Sequence, residues 1–388
     1  MKLTLANRLS GIGEYYFSQK LREIETLNKA GAAVINLGIG SPDMAPHREV
    51  IRLLAEQSSK PNVHAYQSYK GITPLREGIS QWYKKWYGVD LDPLTEVLPL
   101  IGSKEGIMHV CMTYLSEGDE ALIPNPGYPT YRSAVQLAGG KCVEYNLSEV
   151  TDWAPDFEQL ECQDLSKVKL MWVNYPHMPT GQAASMGLFE KLVAFGKKYN
   201  ILICHDNPYS FILSDNPMSL LSVPGAKETA IELNSLSKSH NMAGWRVGML
   251  CSTAERIEEV LRFKSNMDSG MFQPIQLAAT RALLLDESWF AVLNDEYGRR
   301  REKVYELLDL LNCTYSRTQV GLFVWAKIPA SYDTGYSLSD AVLASAKVFI
   351  TPGGIFGSAG NAYVRVSLCS TVENLMMAVE RIVNSKEN

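Results

Sequence analysis

Short apolar runs of about strand length recur through the middle of the chain: Val97–Ile101, Glu120–Ile123, Val168–Val173, Ile201–Cys204, Ala230–Leu233 and Val247–Cys251. Helical patterns separate several of them, as in Ser185–Tyr199. Runs with so few polar residues form strands that must be covered on both faces. A mostly parallel sheet with helices on its two sides meets that need. The helical stretches carry their own punctuation. Thr73 and Pro74 open one, Leu75, Ile79, Trp82 and Trp86 recur at helical spacing, and Gly88 closes it. Another is expected from Ser103 to about Gly118.

The texture changes after about residue 275. A long helical pattern, Gln276–Leu311, leads to a hairpin-like strand region at Gly321–Ala326 and to Tyr363–Leu368. The expected fold is α/β: a large domain with a mostly parallel sheet flanked by helices, plus a smaller α+β domain. The expected division is an N-terminal segment over 1–40 that joins the small domain, a large domain over 41–274 and a small domain over 275–388. Internal repeats and long Gly/Pro/Ser linkers are lacking, so the parts should pack closely.

Composition narrows the class. A chain of 388 residues, 46% hydrophobic and 20% charged, has the balance of a globular enzyme with more than one core. Its 37 basic and 42 acidic residues leave a net charge of −5 without blocks of one sign. That gives no support to nucleic-acid or membrane partners. The first residues, Met1 to Arg8, lack the apolar stretch of a signal peptide, and a cytoplasmic location is expected. Seven dispersed cysteines, never spaced Cys-x-x-Cys, read as buried free thiols. Six dispersed histidines show no metal-ligand spacing, and no metal is expected.

The candidate chemistry falls in loops that follow the expected strands, where ligands gather in open α/β sheets. Lys238, in Ser235-Leu236-Ser237-Lys238-Ser239-His240, has hydroxyls before it and Arg246 eight residues behind. Such a lysine suits an amine that forms a Schiff base beside a bound phosphate. The turn Ile101-Gly102-Ser103-Lys104 enters a helix and would present backbone N–H groups to that phosphate, or simply cap the helix. In Pro124-Asn125-Pro126-Gly127-Tyr128 a rigid turn holds an aromatic ring that either stacks on a flat heterocycle or packs on the core. Asn174-Tyr175-Pro176-His177-Met178-Pro179-Thr180-Gly181 is a further rigid turn. Asp206 ends an apolar run, where a carboxylate is costly without a partner. A turn role or a protonated pyridine nitrogen would each meet that cost.

In order and spacing, these segments resemble the class I/II aminotransferases, fold type I enzymes that use pyridoxal phosphate, in the branch of aspartate and LL-diaminopimelate aminotransferases. The resemblance runs from Arg8 to about Ser370. Its most specific pieces are Ser-x-Ser-Lys with Gly244-Trp245-Arg246-Val247-Gly248, the Pro-Thr-Gly turn and Tyr363-Val364-Arg365-Val366-Ser367. The resemblance implies an aminotransferase working through a Lys238 aldimine in a ping-pong cycle, with an α-amino acid donor and 2-oxoglutarate as acceptor.

It also implies roles for particular residues. Lys238 would carry the cofactor and shuttle the proton, and Asp206 would hold the pyridine nitrogen protonated. Tyr209, with Asn174 nearby, would face the cofactor's 3-oxygen, while Tyr128 stacks on the ring. Arg246, Ser235, Ser237 and the backbone at Ser103 and Lys104 would hold the phosphate. Arg365 would grip the substrate α-carboxylate, helped by the Gly40 backbone, and Tyr15 would line the substrate pocket. Lys104 is also placed to meet a distal carboxylate. Tyr66 matches a tyrosine that reaches a neighbouring subunit, which implies a homodimer with shared active sites.

Two positions depart from the pattern. Met178 stands where such enzymes usually carry an Asn that donates to the 3-oxygen, leaving Tyr209 as its principal partner and raising the aldimine pKa; His177 and Asn174 are the candidates to compensate. Asp206-Asn207-Pro208-Tyr209 replaces the commoner Asp-Glu-x-Tyr. Other readings fare less well. Val34–Gly40 looks like a strand entering a dinucleotide-binding turn, but Asp43 stands where the third glycine belongs. A carbon–sulfur lyase would use the same lysine and aspartate. A non-catalytic cofactor-binding regulator would not need the full residue set.

Overall fold

A computed structural model of the chain describes residues 1, 3–9, 12–14 and 16–387. Its strands are β1 (Ile35–Asn36), β2 (Val97–Leu100), β3 (Glu120–Asn125), β4 (Lys141–Asn146), β5 (Val168–Val173), β6 (Leu202–Asp206), β7 (Ala230–Ser235), β8 (Gly248–Cys251), β9 (Phe323–Lys327), β10 (Val348–Phe349), β11 (Thr351–Pro352) and β12 (Tyr363–Ser367). Seven of them form one sheet in the order β2-β8-β7-β6-β5-β3-β4. Only β8 runs against its neighbours, pairing antiparallel with both β2 and β7.

Side chains alternate across this sheet, and both sides are apolar. Leu170 and Trp172 of β5 join one core with Leu233 and Cys204, while Met171 and Val173 join the other with Ile203. The two-sided burial is why the sequence shows continuous apolar runs. β4 was not among those runs. It is an edge strand with only Tyr145 fully covered, so its sequence, Lys-Cys-Val-Glu-Tyr-Asn, has no apolar signature.

A second, three-stranded antiparallel sheet has the order β11-β12-β9, and β1 pairs in parallel with β10. The hairpin expected at Gly321–Ala326 is not one. β9 takes its partner from distant β12, with Arg365 opposite Trp325, while nearby chain meets it through the isolated bridge Thr314–Lys327 and the Gln319 side chain. The long pattern Gln276–Leu311 is likewise two helices, Gln273–Leu283 and Glu287–Leu310. Asp286 accepts from Ser288 N–H and starts the second, a capping signal hidden inside the apolar period. Ile72, not Thr73, precedes the helix Thr73–Tyr87, and the helix from Ser103 stops at Tyr114, before Gly118. No described helix is long and apolar enough to cross a membrane. All the cysteines are free, but Cys162 is exposed and Cys142 and Cys369 are only half-buried, so buried thiols describe just four of them.

Candidate active site

The parallel strands all end at one edge, and a cavity of about 400 Å³ opens there. Its wall brings together Gly40, Ser103, Lys104, Tyr128, Asn174, Asp206, Tyr209, Ser235, Ser237, Lys238, Arg246 and Arg365, residues that span most of the chain. Topology explains the gathering. Asp206 and Ser235 are the last residues of β6 and β7, Asn174 follows β5, and Ser103 lies just beyond β2. β8 runs the other way, so Arg246 lies just before its start at the same edge. Of the remaining expected residues, one is elsewhere and one is not described. Tyr66 is 90% exposed and does not line the cavity, and Tyr15 lies outside the described residues.

Lys238 sits in a one-turn helix, Leu236–Ser239, fixed by Ser235 Oγ, which accepts from Ser237 N–H at 3.0 Å. Its ammonium donates to Gly40 C=O at 2.7 Å. Burial lowers the pKa of this amine below the usual lysine range, the direction a nucleophilic amine needs. Gly40 thus meets Lys238 through its carbonyl, and a side chain on it would run into the Phe323 ring.

Asp206 is 5% exposed. Its Oδ2 accepts from Tyr131 O–H at 3.0 Å, while Oδ1 is buried without a partner. Burial pushes the carboxyl up to about 6. A buried carboxylate with one bare oxygen on a cavity wall is a site built for a cationic or N–H-bearing group. Tyr131 carried no role in the sequence reading. Its signal was present, since it follows Tyr128 by three residues across the start of a helix and so can face the same way.

At the other end of the cavity, Gly102 has φ +81° and Arg246 packs against it so closely that a Cβ there would lie 2.1 Å from Nη2. Gly248 pairs with both Leu100 and Ser235, and a Cβ on it would meet Ser103 N at 2.8 Å. These glycines bring the N-terminus of the helix Ser103–Tyr114, the Arg246 guanidinium and the hydroxyls of Ser235 and Ser237 to one small region. Backbone N–H groups, a guanidinium and hydroxyls gathered in this way can hold an anion such as a phosphate.

Arg365, 4% exposed, donates from Nη2 to Gly38 C=O at 2.8 Å and touches Met178 Sδ from Nη1 at 3.3 Å. Phe323 and Phe356 face its guanidinium at 3.8 and 4.6 Å. Both residues proposed to compensate for Met178 have protein partners, and Asn174 keeps a place on the cavity wall. Asn174 donates to Asp206 C=O and accepts from Met178 N–H at 2.8 Å. His177 pairs with Thr180 Oγ1 at 2.8 Å and does not line the cavity. Burial lowers its pKa to about 3, so the ring is neutral. Tyr209, held against Phe323, has its phenol pushed well up by burial.

The family described as aminotransferase class I and II matches residues 32–382. The chain belongs to the class I and II aminotransferases. It is 39% identical over 386 residues to an LL-diaminopimelate aminotransferase of Dehalococcoides mccartyi, covering 99% of both chains. It is 40% identical over 382 residues to that of Halothermothrix orenii, covering 98% of both. Among solved structures it is similar to apo-BacF from Bacillus subtilis, with a TM-score of 0.94 and 36% identity over 100% of this chain and 99% of that one. This aminotransferase therefore uses pyridoxal 5'-phosphate, the cofactor of its family. The donor set fits the group, since Asp206 offers a buried oxygen without a partner and the glycines at 102 and 248 let the Arg246 guanidinium and the Ser103 N–H come close to the chain beside them, as a phosphate would need.

Proposed function

We propose that this aminotransferase takes the amino group of an α-amino acid and passes it to 2-oxoglutarate, in a homodimer whose active sites are shared. The observation that carries this reading is Asp206, a carboxyl with a buried and unpartnered Oδ1, in the wall of the same cavity as Lys238 and Arg365. When bound, the cofactor supplies an electron-accepting ring that lets the substrate's α-proton leave. The chain's residues do the rest. Asp206 holds a proton at the ring nitrogen, because an ion pair there relieves the cost of its own burial. Lys238 Nζ, with its amine easily deprotonated, takes and returns the α-proton. Arg365 presents its planar fork to the α-carboxylate and, braced by Phe323 and Phe356, keeps one orientation. Arg246, Ser235, Ser237 and the first N–H groups of the helix at Ser103 and Lys104 bind the phosphate. Tyr209 would meet the cofactor's 3-oxygen and Tyr128 would cover the ring, both from the cavity wall. The exposure of Tyr66 suits a residue that reaches into a partner's site.

LL-diaminopimelate is the first donor to test, because both curated relatives carry it in their names. A neutral apolar donor is the second reading. Phe17, Ile39, Met178 and Phe356 line the cavity beside Arg365, and Lys104, the remaining cationic side chain on the described wall, is exposed. Purified holoenzyme mixed with single amino acids, with cofactor absorbance followed, separates the two. Conversion to the amine form by LL-diaminopimelate supports the first, and conversion by phenylalanine or leucine alone supports the second. Lys238→Ala should abolish conversion by every donor. Release of pyruvate and ammonia without an acceptor would instead make the chain a lyase.

A further inference from the structure

Behind the phosphate cradle lies a buried set of charged groups that the reaction does not use. Glu105 is in the first turn of the helix Ser103–Tyr114, with its side chain 11% exposed. Its Oε2 accepts from Ile101 N–H at 2.6 Å, tying down the residue that precedes Gly102. His109, one turn further along and fully buried, has Nε2 3.2 Å from Glu105 Oε1. Asp268 comes from a different segment, and its carboxyl lies within 4.8 Å of the Glu105 and His109 ligand atoms. Lys264, 1% exposed, reaches Asp268 at 2.7 Å and donates to Tyr69 C=O at 3.1 Å. Gly270 N–H also donates to Asp268, at 2.8 Å.

A glutamate, a histidine and an aspartate this close resemble the donor set of a divalent cation. Here Lys264 already places an ammonium against Asp268, and a second cation beside it in a buried site would be repelled. The cluster joins two parts of the chain. On one side it fixes Ile101, and with it the left-handed Gly102 that aims the helix N-terminus at the cavity. On the other it holds Tyr69, three residues from Tyr66. Gly270 packs so closely that a Cβ on it would lie 2.8 Å from Gln67 O.

We propose that Glu105, flanked by His109 and by the Asp268–Lys264 pair, is the positioning residue of the phosphate cradle and links it to the segment bearing Tyr66. This rests on the reading that the cavity binds pyridoxal phosphate. A bare carboxylate in the first turn would compete with a phosphate for the positive end of the helix. Lys264 neutralises the neighbouring Asp268 and Ile101 N–H takes up part of the Glu105 charge, so the ligand meets one tethered carboxylate and not two free ones.

The test compares cofactor dissociation constants, measured from holoenzyme absorbance during dialysis, with kcat at saturating cofactor. Glu105→Ala removes the acceptor for Ile101 N–H and should weaken pyridoxal phosphate binding by about tenfold, the loss expected for one well-placed hydrogen bond. Glu105→Gln keeps an acceptor and should restore affinity close to the wild-type value. Lys264→Met leaves the carboxylates uncompensated beside the cradle and should also weaken binding, with kcat nearly unchanged. Val110→Ala, a fully buried change on the same helix, controls for lost stability and should not alter the constant. Wild-type affinity in Lys264→Met together with Glu105→Ala, or in Lys264→Met alone if Glu105→Ala does not fold, overturns the proposal, as does equal weakening in Val110→Ala. If the wild type itself binds no pyridoxal phosphate, the underlying reading of the cavity fails first.

Discussion

Glu232 on β7 and Asp206 on β6 are both buried carboxylates on neighbouring strands, 0% and 5% exposed, yet the protein surrounds them in opposite ways. Glu232 accepts from Tyr83 O–H, Ser219 Oγ and Leu220 N–H, each at 2.9 Å, and faces His205 Nδ1 at 2.8 Å. Asp206 has Tyr131 alone and one oxygen left bare. Glu232 points into the protein and is satisfied by it. Asp206 stands in the cavity wall, and its second oxygen has no partner in the protein. Counting partners therefore separates a carboxylate that holds the fold from one that the proposed chemistry would use.

The contrast can be broken from either side. Glu232→Ala should have the largest effect, about 3–5 kcal/mol of lost stability in urea unfolding, because it strands several buried donors at once. If that variant does not fold, Glu232→Gln should still cost about 1–3 kcal/mol. Asp206→Asn should do the reverse to the cofactor-free protein. Its folded pKa, about 6, lies above the 3.8 of a free aspartate. The stability this group contributes is thus present below pH 3.8 and lost as pH rises through 6. At pH 8, Asp206→Asn should gain up to ~3 kcal/mol, and near pH 3.5 nothing, in paired thermal melts. The same variant should bind pyridoxal phosphate weakly. A loss of stability at pH 8 would put Asp206 in the same class as Glu232.

Tyr131→Phe removes the remaining donor to Asp206. It should cost about 1–2 kcal/mol at pH 8 and less near pH 3.5, where the carboxyl is already neutral. Met178→Asn leaves both carboxylates alone and restores a donor beside Arg365. Its expected effect is the smallest, a fall of about one pH unit in the midpoint of the holoenzyme's colour titration. An unchanged midpoint would mean that Tyr209 alone sets the charge at the 3-oxygen.

Much of this site could be read along the chain, because rigid turns after buried strands place residues at one sheet edge whatever the details of packing. Lys238, Asp206 and Arg246 were recognisable for that reason. Tyr131 as the partner of Asp206, 75 residues apart, was not, nor were the aromatic walls of Arg365 or the meeting of Glu105 with Asp268. The helix break at Asp286 was masked because the apolar period continues across it.

By itself, the sequence determined the layered α/β architecture, the loops that carry the chemistry and the residue types within them. Period, turn residues and apolar runs act locally, so they survive without knowledge of the fold. Only the tertiary structure decided which buried charges are satisfied and which are not. That depends on donors brought from distant segments into hydrogen-bond range, as Tyr83 and Ser219 are for Glu232, and on their absence around one oxygen of Asp206.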